Sequence, residues 1–266
     1  MMGENFQSIK LAKFPTEVGI TPETIPAIEK SNRLLFDKLD AHFRHYPYIL
    51  GGRPSIAEAT MMETLHAHLG RDIYPANIMK KTAPALYRWT ETMNRPGIVD
   101  AELSQVPQEY LDPDNLPGTL LDFLKLVSDD FGPQLEASVN AYENWLATDP
   151  ERPEGAIITV DGAAMNRQKM GQMAYSQRGI TIKRDAWPDI PNMHQYVLEV
   201  VDMMDAKEKS DWSELMQSVG GEIFVNTRLS RPINIHKHQP PYAYVLGEKA
   251  LTFDNTDITP TFNNLR

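Results

Sequence analysis

PYILGGRPSIAEATMMETLHAHLGRD, residues 47–72, and APALYRWTETMNRP, residues 83–96, carry the strongest structural signal in this chain. Ser55 followed three residues later by Glu58 is a capping box: the Ser55 side chain accepts a helix-start amide while the Glu58 carboxylate returns to the Ser55 amide. The spacing predicts a helix over 56–69. Ile56, Ala57, Ala59, Met61, Met62, Leu65, Ala67 and Leu69 surround it on almost every side, so it is expected at the centre of a bundle. Gly70 is expected to end it in a left-handed conformation. Pro84 suits the first turn of a further helix, whose face carries Ala85, Trp89 and Met93, and which stops before Arg95-Pro96-Gly97.

Outward from this stretch, residues 1–22 read as an irregular leader with room for one short helix. From about residue 22, Ile28, Leu35, Leu39 and Phe43 recur on one helical face up to Tyr46-Pro47, and Gly51-Gly52 turns the chain. Residues 98–116 read as a loop. A helix follows over 118–147, bent or broken at Gly132-Pro133, with Leu135, Val139, Tyr142 and Leu146 on its later face. After residue 153, the runs 156–160 and 180–183 read as a small hairpin or ribbon. Residues 191–204 read as a helix whose apolar face holds Tyr196, Val197, Val200, Val201 and Met204. A second helix over 211–219 opens on Asp211 and Glu214 at capping-box spacing and ends at Gly220-Gly221. The last 40 residues read as a surface tail. The expected fold is mainly α: a leader (1–22), a helical bundle (23–149), and a mixed α+β extension (150–266) with a hairpin, two helices and an irregular tail.

Composition narrows the function classes. The 266 residues carry 36 acidic and 26 basic side chains, a net charge of -10, which repels phosphate backbones and anionic headgroups, so neither nucleic acid nor membrane is an expected partner. Apolar residues make up 41% without any run long enough to span a bilayer, and the N-terminus lacks a secretory pattern; a cytoplasmic location is expected. There is no cysteine, which excludes disulfides, thiolate metal sites and a cysteine nucleophile within this chain.

Residues 34–96 resemble the helical second domain of the glutathione transferase superfamily. Three features carry the likeness in order: the helix ending in PYILGGRP, the Ser-Ile-Ala-Glu cap opening an apolar helix, and the proline-started helix with Trp89 that closes in Arg-Pro. The family's cap has Asp where Glu58 stands. Residues from 116 onward are more loosely similar to the C-terminal extensions of longer bacterial members. The resemblance implies a thioredoxin-like domain of roughly 80 residues ahead of the helical domain, the usual size for a small domain. That domain binds glutathione through a Val-Pro and a later Glu-Ser or Gln-Ser. Here Val106-Pro107 follows the helical motif instead of preceding it, with no such dipeptide at a suitable distance downstream. The expectation is a glutathione-transferase-like protein, truncated or decayed, with no cofactor in this chain and glutathione bound only if a thioredoxin-like domain is supplied. The alternative is a non-catalytic binding or assembly module whose exposed helical face meets a second copy or a partner chain.

No catalytic, cofactor or metal residue is assigned. His66 and His68 lie about 200° apart on a helix and cannot share a metal. His236 and His238 lack a third ligand. His42 and His45 suit a helix C-terminus. His66, Arg71 and Tyr74, beside the expected end of the helix over 56–69, are the candidates for lining a cleft, and Ser55 and Glu58 are structural.

Overall fold

The computed structural model describes residues 14–95, 103–160, 168–236 and 243–247. The described residues are mainly helical, with two small two-stranded sheets among them. It divides into two compact units that alternate along the sequence. The first comprises Met1–Gln134, Tyr175–Ile182 and Asp211–Val225; the second comprises Leu135–Ala174, Lys183–Ser210 and Asn226–Arg266.

The first unit begins with a single turn, Phe14–Glu17 (α1), and the 19-residue helix Ile25–Phe43 (α2). Ile56–Thr64 (α3) runs directly into a π-helical turn, Leu65–Leu69, and is followed by Ile73–Thr82 (α4) and Pro84–Met93 (α5). The core gathers Phe36, Leu39 and Phe43 of α2 against Leu65, Met79, Leu86, Trp89 and Leu120. Phe43 and Trp89 stack with ring centroids 4.7 Å apart.

Two carboxylates brace this core. Glu58, 1% exposed, accepts the Ile49 amide at 2.7 Å, the Ser55 amide at 2.6 Å and the Ser55 hydroxyl at 2.8 Å, completing the expected capping box and fastening the preceding loop. Asp40 of α2 performs a similar service at long range. The residue preceding α5 is Ala83, which has no side chain to cap it, and Asp40 Oδ1 accepts the Ala85 amide at 2.6 Å and the Leu86 amide at 3.3 Å instead. Its other oxygen pairs with Arg44 at 2.6 Å.

Three expectations for this unit need correction. The helix over 56–69 is not central: within α3 only Glu58 is buried, and Ile56 is 81% exposed. Its many Ala, Met and Thr side chains suit a surface as readily as a core, and α2 and α5 supply the large buried groups instead. Gly70 is right-handed, with φ -80°; its need for glycine is steric, since a Cβ there would lie 2.7 Å from the Leu65 carbonyl oxygen. α4, which begins at Ile73, contains Tyr74 and buries Ala76 and Met79, is a helix with no counterpart among the expected elements.

Gly118–Ala147 (α6) is one continuous 30-residue helix with Pro133 inside it, not two segments. Around this proline, within the first unit, Phe131 stacks on Phe224 of Glu222–Asn226 (α9), and a Cβ on Gly132 would lie 3.1 Å from Ile223. This packing supports the helix where Pro133 cannot donate a backbone hydrogen bond.

The strands Gly171–Gln177 (β1) and Ile180–Ala186 (β2) pair as a hairpin in place of the expected pairing of 156–160 with 180–183. Its two-residue turn, Arg178-Gly179, has positive φ at both positions, 51° and 81°, as a type I′ turn requires. In the first unit, Arg178 pairs with Asp130 at 2.8 Å and Gln177 donates to Ser31 at 3.0 Å.

In the second unit the later part of α6 buries Leu135, Val139, Tyr142 and Leu146, the anticipated face. Ile233–His236 (β3) and Ala243–Leu246 (β4) pair antiparallel, from Ile233 opposite Leu246 to His236 opposite Ala243, within what was read as an irregular tail. Residues 156–158 add to this sheet: Ile158 donates to Tyr244, Leu246 donates to Ala156, and Gln168 bonds both Ile158 and Tyr244.

Asp189–Met203 (α7) buries a different face from the expected one, of which only Val201 is buried. Asn192, His194, Gln195 and Glu199 are buried beside Leu198 and Val201, while Met193, Val197, Val200 and Met203 face outward. The reason is that α7 lies along β3, whose unpaired edge needs hydrogen-bond partners. Gln195 accepts the Ile233 amide at 2.9 Å and donates to the Ile233 carbonyl at 3.1 Å. The next helix, Ala206–Ser218 (α8), begins five residues before the expected start at Asp211. Its reciprocal cap is Asp205 with Glu208, each backbone amide bonded to the other's carboxylate at 2.9 Å. Gly220 beyond it is left-handed as expected. Among the described residues no helix is long and apolar enough to cross a membrane.

Candidate functional site

The π-helical turn Leu65–Leu69 lies where the candidate residues cluster. A π turn adds one residue per turn and rotates the side chains that follow it, and such turns recur at functional sites. It places His66 beside Arg71: Arg71 Nη2 is 3.1 Å and 3.3 Å from the two ring nitrogens, and Arg71 Nη1 is 3.0 Å from Glu91 Oε1 of α5. All three groups reach solvent, so the cluster contributes at most about 1 kcal/mol and holds the turn against α5.

Tyr74 separates from that pair. It is 62% exposed and stands at the rim of a groove between α2 and α4, where Phe36, Leu69, Pro75 and Ile78 form the floor and Glu29 and Arg33 the polar edge. The groove holds about 190 Å³. That is below the roughly 300 Å³ at which small-molecule pockets begin, and suits an inserted side chain better than a whole ligand. The groove's floor residues went unassigned in the sequence because Phe36 and Ile78 have the spacing of ordinary core positions.

A second cleft of the first unit, about 390 Å³, is lined by Arg44, His45, Tyr46, Gln105, Val106, Pro107 and Thr119. His42 lies beneath it, fully buried and stacked on Tyr46 at 5.0 Å. Its Nε2 is 3.2 Å from the Tyr48 carbonyl, which can only accept, so this nitrogen carries the proton and Nδ1 accepts from the Thr119 hydroxyl at 3.0 Å. Burial lowers its pKa, favouring the neutral ring this bonding needs. His42 thus ties the loop at Tyr48 to the first turn of α6. It is no partner of His45, which is exposed. The signal lay in its neighbours: Leu39 and Phe43 on the same face mark position 42 as buried.

Among the described residues no group of three or more His, Asp or Glu could hold a metal. His236 lies on β3, and His238 is outside the described residues. No family model matches this chain, and neither a curated protein nor a solved structure matches it.

Proposed function

We propose that the first unit is the helical half of a glutathione-transferase-like protein, and that on its own the chain binds without completing a transferase reaction. In complete proteins of that kind a thioredoxin-like half holds glutathione and activates its thiol. The helical half offers the apolar side of the cleft to an electrophile. The observation that carries this reading is the set of large apolar side chains left outward on the unit's helices: Ile56 and Ile73, more than 80% exposed, and Tyr74 above its groove. A covering half or partner would take this apolar surface out of water, which favours association.

The test is calorimetry with glutathione and a conjugation assay with a chlorodinitrobenzene substrate, on the chain alone. Neither binding at micromolar affinity nor turnover is expected; either would overturn the claim that the chain is catalytically incomplete. A second reading, a non-catalytic assembly platform, is favoured by the groove's small volume, which matches a partner's side chain. It predicts self-association or binding of a hydrophobic dye, and a monodisperse monomer in light scattering that binds no dye would refute it.

A further inference from the structure

The second unit contains a cleft of about 350 Å³ lined by Asn144, Trp145, Thr148, Arg152, Thr159, Val160 and Met170. Local chain geometry builds it. After α6 ends, Thr148 and Asp149 donate back to Trp145 and Leu146, and Arg152 donates to Asp149. Pro153 then restricts Arg152 to an extended backbone. The Arg152 carbonyl is held by Arg231 Nη1 at 2.8 Å, and Trp145 Nε1 is held by the Thr159 carbonyl at 2.9 Å.

This frame fixes the Arg152 guanidinium. It lies 4.3 Å from the Trp145 ring centroid, and its Nη2 donates to Thr148 Oγ1 at 2.9 Å. Among the described residues no carboxylate pairs with it, and its buried Nε has no acceptor. In a protein with ten more acidic than basic side chains, an arginine held on an aromatic face without an anionic partner is conspicuous. A fixed guanidinium with donors to spare presents the planar fork that a carboxylate matches.

We propose that this cleft binds a small organic acid, its carboxylate on Arg152 and its apolar body against Val160, Met170 and the edge of Trp145. One guanidinium balances the single charge of a carboxylate; a phosphate, at about -1.5 to -2, would leave charge unbalanced, since the other described residues lining the cleft are neutral. Asn144, Thr148 and Thr159 supply the hydrogen-bonding groups that orient the acid.

Benzoate is the first probe, titrated into the full chain by calorimetry and by amide chemical-shift mapping, beside benzamide and inorganic phosphate. Saturable benzoate binding is expected, with shifts at Thr148, Arg152 and Thr159, and with affinity at least about tenfold above benzamide. Arg152→Gln should weaken benzoate by a similar factor, and Arg152→Lys should weaken it less. Because Arg152 also packs on Trp145, the comparison of benzoate with benzamide on the unaltered chain stands even if the variants fold poorly. The proposal is overturned if benzoate does not saturate, if benzamide binds equally, if phosphate binds more tightly, or if folded Arg152→Gln retains full affinity.

Discussion

Replacing Glu58 with alanine should destabilise the first unit by about 3–5 kcal/mol, a figure that follows from what the carboxylate holds. It accepts three hydrogen bonds, and bonds to a charged acceptor contribute about 1.5–3 kcal/mol each. A simple sum overshoots, because Ser55 is half-buried and both of its groups can turn to water once the carboxylate is gone. The Ile49 amide has no such recourse. Ile49 is 3% exposed, and its orphaned N–H would bear a desolvation cost of about 1–3 kcal/mol, to which the lost cap adds about 1 kcal/mol. The vacated volume contributes the remainder. Urea unfolding followed by circular dichroism gives the total, and native-state hydrogen exchange reads the Ile49 amide directly. Glu58→Gln keeps the shape and an acceptor and should lose less than half as much. A loss below about 1 kcal/mol in Glu58→Ala, with Ile49 still protected, would show that the box does not brace the loop.

Acid should weaken both units through their buried histidines. Burial lowers the pKa of His42 and of His194, so the folded form binds fewer protons than the unfolded chain. Stability is therefore fully present above about pH 6.5 and falls as pH drops below it, each histidine adding at most about 1.4 kcal/mol per pH unit; unfolding at pH 7.5 and 5.5 checks this, and His42→Gln should flatten the first unit's share. Gly52→Ala should destabilise strongly, by about 2 kcal/mol or more, since its Cβ would lie 1.8 Å from the Pro107 carbonyl oxygen. Gly155→Ala, with φ +78° and open space around it, should cost only about 1–2 kcal/mol, and thermal melts compare the two. Asp205→Ala should cost about 1 kcal/mol of α8 stability as a lost cap, and Asp211→Ala, inside the helix, clearly less; the same melts distinguish the two positions.

The sequence disclosed features whose causes are local. The Ser55–Glu58 box, the proline start of α5 and the glycine stop after α8 each depend on residues within a few positions of one another. Features set by distant partners stayed hidden. Asp40 caps α5 from 45 positions away, and nothing near Ala83 announces it. The buried face of α7 has the same origin: its apolar spacing points to Val197, Val200 and Val201, but Gln195 bonds the edge of β3, and of the three only Val201 is buried. The β1–β2 turn was legible in principle, since Arg178-Gly179 lies between alternating runs, yet the run beginning at Gly171 is too polar to declare a strand. Of the candidate site, the sequence placed His66 and Arg71 near one another, but their contact depends on the π-helical turn Leu65–Leu69, which the sequence did not announce. The groove beside Tyr74 required knowing that α4 exists and lies against α2.

The alternation of the two units along the chain bears on the order in which the protein can fold during synthesis. A ribosome that has released residue 134 has delivered most of the first unit but not the hairpin tip that reaches Asp130, nor Ile223 and Phe224, which pack beside Gly132 and Phe131. That unit cannot close until residue 225 has emerged, by which time the whole of the second unit's first two segments, Leu135–Ala174 and Lys183–Ser210, has already been translated. Neither unit can therefore be finished before the other has begun, and no single proteolytic cut releases either one whole.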